Sequence, residues 1–347
     1  MRILLPTLDY PPAQGGVARY LAALVRELGS EVTVVTDGLV STWLVPAWLP
    51  TLFLLWRRRR TYDLVLTSHV LPIGTAAWIM KRLTGRPYAV VLHGMDIGLA
   101  LRSKRKRWLV KCVLREANVV ASNSKALAEE VQQTFNVQNV VVAYPPLVHQ
   151  VAVSKRDNFF APIQLLSVSR LVERKGHLRV LKAIASLRKS DPSMMLHCTI
   201  VGDGPMEKRI RCAIAENNLG SIVTLRTKVS DEDLAKLYTN HDLFVLPVVR
   251  DRVDREGFGI VYLEAAAASM PSIATKMPGV DEAVLDGKTG ILVEDGDEEG
   301  LVSTLFSLIT DHQLRNRLGV AAHDRALTEF VPSLVFKDLI RRIHLAG

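Results

Sequence analysis

Two glutamates eight positions apart bound the segment Glu256-Gly257-Phe258-Gly259-Ile260-Val261-Tyr262-Leu263-Glu264. On a helix beginning near Gly257, eight residues span about 12 Å, too far for the pair to act on one bond as a glycosidase dyad. The two carboxylates are therefore expected to serve different parts of one long ligand. Gly257 and Gly259 leave the helix N-terminus open, where free N–H groups and the helix dipole favour a diphosphate. Glu264, embedded in Leu263-Glu264-Ala265-Ala266-Ala267, can accept both hydroxyls of a ribose, and Glu256 can contact the group beyond the phosphates. Further upstream, Arg170 and Lys175 stand five apart in Ser169-Arg170-Leu171-Val172-Glu173-Arg174-Lys175-Gly176. Such a pair can clamp adjacent phosphates through charge-assisted hydrogen bonds. Ordinary surface charge is the competing reading, and it is the expectation for Arg174, because three cations cannot all converge on one diphosphate.

Two features of the first half carry weaker signals. Gly15-Gly16 lies in a loop opening a helix, where a ligand can approach the backbone, although a purely structural turn would look the same. His93 follows the apolar run Val90-Val91-Leu92 and precedes Gly94-Met95-Asp96. A histidine at that strand end can bond a sugar hydroxyl, shuttle a proton, or be structural. Neither Gly-x-Gly-x-x-Gly nor Gly-x-x-x-x-Gly-Lys-Ser/Thr is present. The three cysteines, Cys112, Cys198 and Cys212, lack C-x-x-C spacing, so neither a disulfide framework nor a structural zinc is expected. Their number points to a reducing compartment.

Short apolar runs alternating with helical-period segments must position these residues, the pattern of parallel sheets covered by helices. In the first half the strands are expected at Arg2–Pro6, Val32–Thr36, Leu64–Ser68, Tyr88–His93, Val119–Ser122 and Val140–Ala143. After a break the pattern restarts at Ile163–Val168, Leu196–Val201, Val223–Leu225, Leu243–Pro247 and Ser272–Ala274. The expected fold class is α/β, two doubly wound Rossmann-like domains facing a central cleft. The boundaries read as an N-terminal domain over 1–150, a linker over 151–162, a C-terminal domain over 163–330, and a helix over 331–347 that packs back on the first domain. At 347 residues the chain accommodates two such domains.

The formal charge of +9 is unevenly spread: residues 1–160 hold 20 Lys and Arg against 10 Asp and Glu, a balance of +10, and the remainder carries −1. Much of the excess lies in Arg57-Arg58-Arg59-Arg60 beside Trp56 and in Lys104-Arg105-Lys106-Arg107 beside Trp108. Basic runs adjoining tryptophan suit an anionic membrane surface, with a solvated helix face as the alternative. No nucleic-acid-binding signature accompanies them. Leu39–Trp56 is uncharged, but Pro46 and Pro50 interrupt it, so a helix packed on the sheet is expected there rather than a membrane span. No export signal is read at Met1–Pro6.

Taken together, these residues resemble the retaining family 4 glycosyltransferases of the GT-B fold. The resemblance covers nearly the whole chain and rests on seven marks in order: Gly15-Gly16, His93-Gly94-x-Asp96, Ser124-Lys125, Ser169-Arg170-Leu171 to Lys175-Gly176, Gly202-Asp203-Gly204-Pro205, Glu256 to Glu264, and Asp286-Gly287-x-Thr289-Gly290. It implies that Arg170 and Lys175 bind the donor diphosphate, and that Glu264 binds the ribose diol. Glu256 with the backbone of Phe258 and Gly259 would bind the transferred sugar. The base would lie near Gly202 and Val229, Gly16 would approach the diphosphate, and His93 would lie beside sugar and acceptor. The resemblance further implies no metal or other cofactor, and retention of configuration by front-face attack. The partners it implies are a nucleotide-diphosphate sugar (GDP-mannose or a UDP-sugar), a lipid-linked or glycan acceptor and an anionic membrane, with no nucleic acid. The expected location is cytoplasmic, peripheral on the inner face of the plasma membrane. An epimerase, a phosphorylase or a transferase with a soluble acceptor is the alternative on the same fold. Ser169, Tyr144-Pro145-Pro146, Thr227 and Ser269 depart from the usual family pattern, which bears on loop shape more than on the charged donor contacts.

Overall fold

The computed structural model describes all residues except 14, 42, 102, 139, 149–161 and 252–255, and the side chains of Asp96, Leu99 and Ala100. Most of the expected linker therefore lies outside the described residues. The chain divides into two compact units.

The first unit runs β1 (Ile3–Pro6), α1 (Gly16–Leu28), β2 (Val32–Val35), α2 (Leu49–Arg57), β3 (Leu64–Thr67), α3 (Thr75–Thr84), β4 (Tyr88–Leu92), α4 (Met95–Leu101), α5 (Lys104–Glu116), β5 (Val119–Ser122), α6 (Lys125–Phe135) and β6 (Val141–Val142). Its strands form one parallel sheet in the order β2-β1-β3-β4-β5-β6. Every residue of β1, β3, β4 and β5 is buried, as expected for strands covered by helices on both faces. Leu4, Val65, Tyr88 and Val90 meet Val113, Val131 and Phe135 of the helices in a single core. Edge strand β2 is only half-buried.

The second unit runs β7 (Ile163–Val168), α7 (His177–Ser190), β8 (Leu196–Val201), α8 (Glu207–Glu216), β9 (Val223–Arg226), α9 (Asp231–Thr239), β10 (Leu243–Leu246), α10 (Ile260–Ala267), β11 (Ser272–Thr275), α11 (Val280–Ala283), β12 (Gly290–Val293), α12 (Glu298–Thr310) and α13 (His312–Glu329). The sheet order β12-β11-β10-β7-β8-β9 is the doubly wound arrangement, with the direction of winding reversing between β7 and β10. Its core joins Leu165, Cys198, Ile200, Val245 and Ile273 of the strands to Val180, Ile184, Leu305 and Leu308 of the helices. Strand β12 has no counterpart in the sequence reading, because Gly290 and a short apolar run give too little period to mark it.

The chain then returns to the first unit. Residues Phe330–Gly347, carrying α14 (Pro332–Val335) and α15 (Lys337–Ala346), cluster with Met1–Val148. Helix α15 packs on β5 and β6, α14 packs on α1, and His344 Nε2 lies 2.9 Å from Glu31 Oε2. The segment 256–258 also belongs to the first unit, whereas 163–330 was expected as one block. The cause is aromatic packing: the Phe258 ring lies 5.4 Å from Tyr144 and 5.7 Å from Phe330.

Helix α2 is nine residues long, and among the described residues no helix is long and apolar enough to cross a membrane. Both α2 and α5 lead into strand starts, so each runs from the C-terminal edge of the sheet to its N-terminal edge. Arg57–Arg60 follows the end of α2, and the Arg60 carbonyl accepts from Arg2 Nη1 at the start of β1. Lys104–Arg107 instead opens α5. The two basic runs thus lie towards opposite edges of one helical layer, in which α3 packs on both helices. Trp56 and Trp108 are exposed within it, 45% and 61%.

Candidate active site

In the second unit the chemistry gathers at the C-terminal ends of β7 and β10, the point where the winding direction reverses and where open α/β sheets bind ligands. After β7 the chain makes the loop Ser169–Gly176. Its geometry is set by His177, the first residue of α7, whose Nδ1 lies 3.2 Å from Ser167 Oγ and whose Nε2 lies 2.8 Å from Ser169 Oγ. Burial, and then the charge of Lys175, push His177 down to about 4, so it is neutral at pH 7. Arg170 is exposed at the loop tip, whereas Lys175 is 7% exposed. Gly176 follows with φ +74°, and a Cβ there would collide with the Pro247 carbonyl after β10. That close approach brings the two strand ends together. The Arg174 carbonyl accepts from Val249 N at 2.6 Å.

Glu264 sits in the second turn of α10 and is 7% exposed, and its Oε2 accepts from the Tyr238 hydroxyl of α9 at 2.7 Å. Tyr238 was not singled out from sequence: it lies 26 residues away, and nothing in its surroundings marks it as a partner. The hydroxyl fixes the carboxylate's orientation, as a ribose-binding group requires. Gly202 N donates to Arg226 O at 3.0 Å, and the Asp203 carboxylate accepts from Lys228 N at 3.2 Å. These bonds hold the Gly202–Pro205 turn beside the half-buried Val229. Asp203 is a second supporting residue the sequence reading did not assign a role.

Helix α10 begins at Ile260, not near Gly257. Gly259, its N-cap, has φ +89°, which ends any helical path through Gly257. Glu256 is therefore off the helix, and the 12 Å helical step between the two glutamates does not apply. Glu256 and Gly257 are half-buried and Phe258 is buried, all three in the first unit. A Cβ on Gly257 would lie 2.8 Å from both Asn123 Nδ2 and the His93 carbonyl, so only glycine fits against those strand ends.

In the first unit, His93 directly follows β4, and its ring packs edge-on against Tyr20 at 4.9 Å. Its Nε2 is buried with no hydrogen-bond partner, and burial followed by the neighbouring His69 pushes it down to about 3. A neutral imidazole with an unused nitrogen can bond a hydroxyl, and it is too weak a base to hold a proton at pH 7. Gly16, the first residue of α1, is exposed behind Gly15, whose φ is +139°. Among the described residues no cluster of His, Cys, Asp and Glu could hold a metal ion.

Two family models match the chain in tandem: Glycosyltransferase Family 4 over residues 14–150 and Glycosyl transferases group 1 over residues 154–325. Among curated relatives, a GDP-mannose-dependent alpha-(1-6)-phosphatidylinositol monomannoside mannosyltransferase of Mycolicibacterium smegmatis is 28% identical over 94% of both chains. A D-inositol 3-phosphate glycosyltransferase of Pseudarthrobacter chlorophenolicus is 29% identical over 78% of this chain and 68% of its own. Among solved structures, Anabaena HepE in complex with UDP-glucose matches with a TM-score of 0.80 at 19% identity, covering 99% of this chain and all of that one. The two parallel six-stranded sheets are those of the GT-B fold, and the chain belongs to the family 4, group 1 glycosyltransferases.

Proposed function

We propose that this glycosyltransferase transfers a sugar, with retention of configuration and without a metal, from a nucleotide diphosphate to a lipid-linked or membrane glycan acceptor. The observation that carries the donor half is the pairing of a buried Lys175 after β7 with a buried, Tyr238-oriented Glu264 after β10. An ammonium and a carboxylate in these places have the chemistry that a diphosphate and a ribose diol would use. Arg170 and Lys175 supply the cationic charge that a metal supplies elsewhere, stabilising the diphosphate as it leaves. Gly16 and the Gly257–Gly259 backbone suit the phosphates and sugar, Glu256 and His93 the sugar hydroxyls, and Gly202 and Val229 the base. With no protein nucleophile assigned, the departing phosphate oxygen takes the acceptor proton on the face where the new bond forms.

GDP-mannose is the first donor to test, because the relative matched over 94% of both chains uses it, with a UDP-sugar as the alternative. A membrane acceptor is favoured by the exposed Trp56 and Trp108 beside Arg57–Arg60 and Lys104–Arg107. With these runs at opposite edges of one helical layer, the layer would lie flat on the cytoplasmic leaflet rather than touch it at one point. Product analysis with labelled GDP-mannose, UDP-glucose and UDP-N-acetylglucosamine and a membrane extract separates the readings. A labelled glycolipid is expected, while free sugar isomer or sugar phosphate would support an epimerase or phosphorylase instead. Replacing Arg57–Arg60 by serine is expected to weaken sedimentation with phosphatidylglycerol vesicles nearly a thousandfold, at about 1 kcal/mol for each of the four lost charges. Unchanged binding would leave a soluble acceptor as the better reading.

A further inference from the structure

In the first sheet the winding direction reverses between β1 and β3, and the residues that follow those strands form a linked polar group of their own. His69 Nε2 lies 3.2 Å from Asp9 Oδ2, and His69 Nδ1 lies 3.0 Å from Ser68 Oγ. Ser68 Oγ is in turn 3.3 Å from Thr7 Oγ1, which accepts from Asp9 N at 3.2 Å. Because a carboxylate only accepts, Nε2 carries the proton and a neutral ring receives the Ser68 hydroxyl at Nδ1. Burial holds His69 below its ordinary value against the pull of Asp9, so the ring is neutral and the pair carries one negative charge.

The row continues along the same edge. His93 after β4 has a buried, unpartnered Nε2, and Asn123 after β5, 7% exposed, has a buried, unpartnered Oδ1. These strands are neighbours, so Asp9, His69, His93 and Asn123 span about 14 Å at about 4.8 Å per strand. Buried polar atoms without partners in a folded protein point to a ligand that supplies them. Lys125 is the one cation within the four residues that follow the C-terminal end of any of the six strands. In a half-chain with ten excess positive charges, this row holds a carboxylate, two neutral rings and an amide.

We infer that Asp9, held by His69, selects the chemistry of the acceptor's reacting end. It accepts from the hydroxyls of a neutral sugar or polyol ring and repels a phosphate or carboxylate at that position. His69 is a positioning residue: it orients the half-exposed Asp9 carboxylate, and Ser68 and Thr7 orient His69. This inference rests on the transferase reading above and goes further in naming which acceptors fit.

The test is binding of three probes, octyl α-D-mannopyranoside, inositol 1-phosphate and malate, by saturation-transfer NMR, with and without the nucleoside diphosphate. The octyl mannoside is expected to bind and the two anions not to. Asp9→Asn should weaken the mannoside at least tenfold and leave nucleotide binding unchanged. His69→Gln, whose amide N–H can replace Nε2–H, should retain more binding than His69→Phe. Anions that bind as well as the mannoside, no probe binding at all, or an Asp9→Asn protein with wild-type affinity would each overturn the inference. Absence of nucleotide binding would count against the transferase reading alone, because the acceptor arm is also measured without nucleotide.

Discussion

The C-terminal edges of the two sheets are furnished for opposite charges. In the second unit Arg170 and Lys175 follow β7, and the Glu264 carboxylate is tied to Tyr238. In the first unit the corresponding turns offer Asp9, neutral His69 and His93, and Asn123. The second edge is wired around His177, which bonds both Ser167 and Ser169, and Gly176 locks against Pro247. The first leaves buried nitrogen and oxygen atoms unused. A donor diphosphate is a fixed anion that a rigid cationic cradle can bind in one way, whereas an acceptor presents hydroxyls to groups that remain unsatisfied until it arrives.

Several substitutions sharpen or break that contrast. The largest effect is expected for Lys175→Ala, which removes a buried charge from the loop where the proposed donor diphosphate would bind. Turnover should fall about 10²- to 10³-fold, with Arg170→Ala milder because its side chain is exposed. Steady-state kinetics with saturating donor checks this, and near wild-type turnover in both would remove the cationic cradle.

Next comes pH. His177, held near 4 when folded, takes up its proton in the unfolded chain first, near 6.5. Its contribution is fully present above pH 6.5 and is lost as pH falls from 6.5 to 4, on the order of 3 kcal/mol in total. Urea unfolding at pH 7 and pH 4.5 should show the loss in the wild type and a flatter dependence in His177→Leu.

A smaller effect tests where the units' elements meet their own strand ends. Gly257→Ala forces its Cβ against Asn123 and the His93 carbonyl, and a loss of about tenfold in kcat/KM is expected. Asn123→Ala in the same chain relieves one of the two clashes and should restore part of it. The smallest change is Tyr238→Phe, which deletes one hydrogen bond to Glu264. Donor KM should rise about fivefold with kcat nearly unchanged.

Much of this was readable in the chain. Fully buried strands such as Val90-Val91-Leu92 announce themselves as apolar runs, and Arg170, Lys175 and Glu264 stand out because charges interrupt otherwise ordered patterns. The charge asymmetry between halves was legible by counting. What stayed hidden is long-range or depends on backbone geometry. The Asp9–His69 pair joins residues sixty apart, and Tyr238 reaches Glu264 from another helix. The start of α10 was misplaced because two glycines in a row of apolar residues look like a helix opening. The structure instead turns at Gly259 and packs Phe258 on Tyr144 and Phe330. The separation of the two basic runs follows from helix direction in the layer, which adjacency to tryptophan does not reveal.

The most direct test of the central claim is thermal-shift binding of UDP, GDP and ADP in EDTA, repeated with Glu264→Ala and Lys175→Ala. One nucleotide should raise the midpoint, by the equivalent of about 2.7 kcal/mol at a hundredfold excess over Kd, and both variants should abolish the rise. Stabilisation by none of the three, or stabilisation that survives in both variants, would contradict the donor site placed at the ends of β7 and β10.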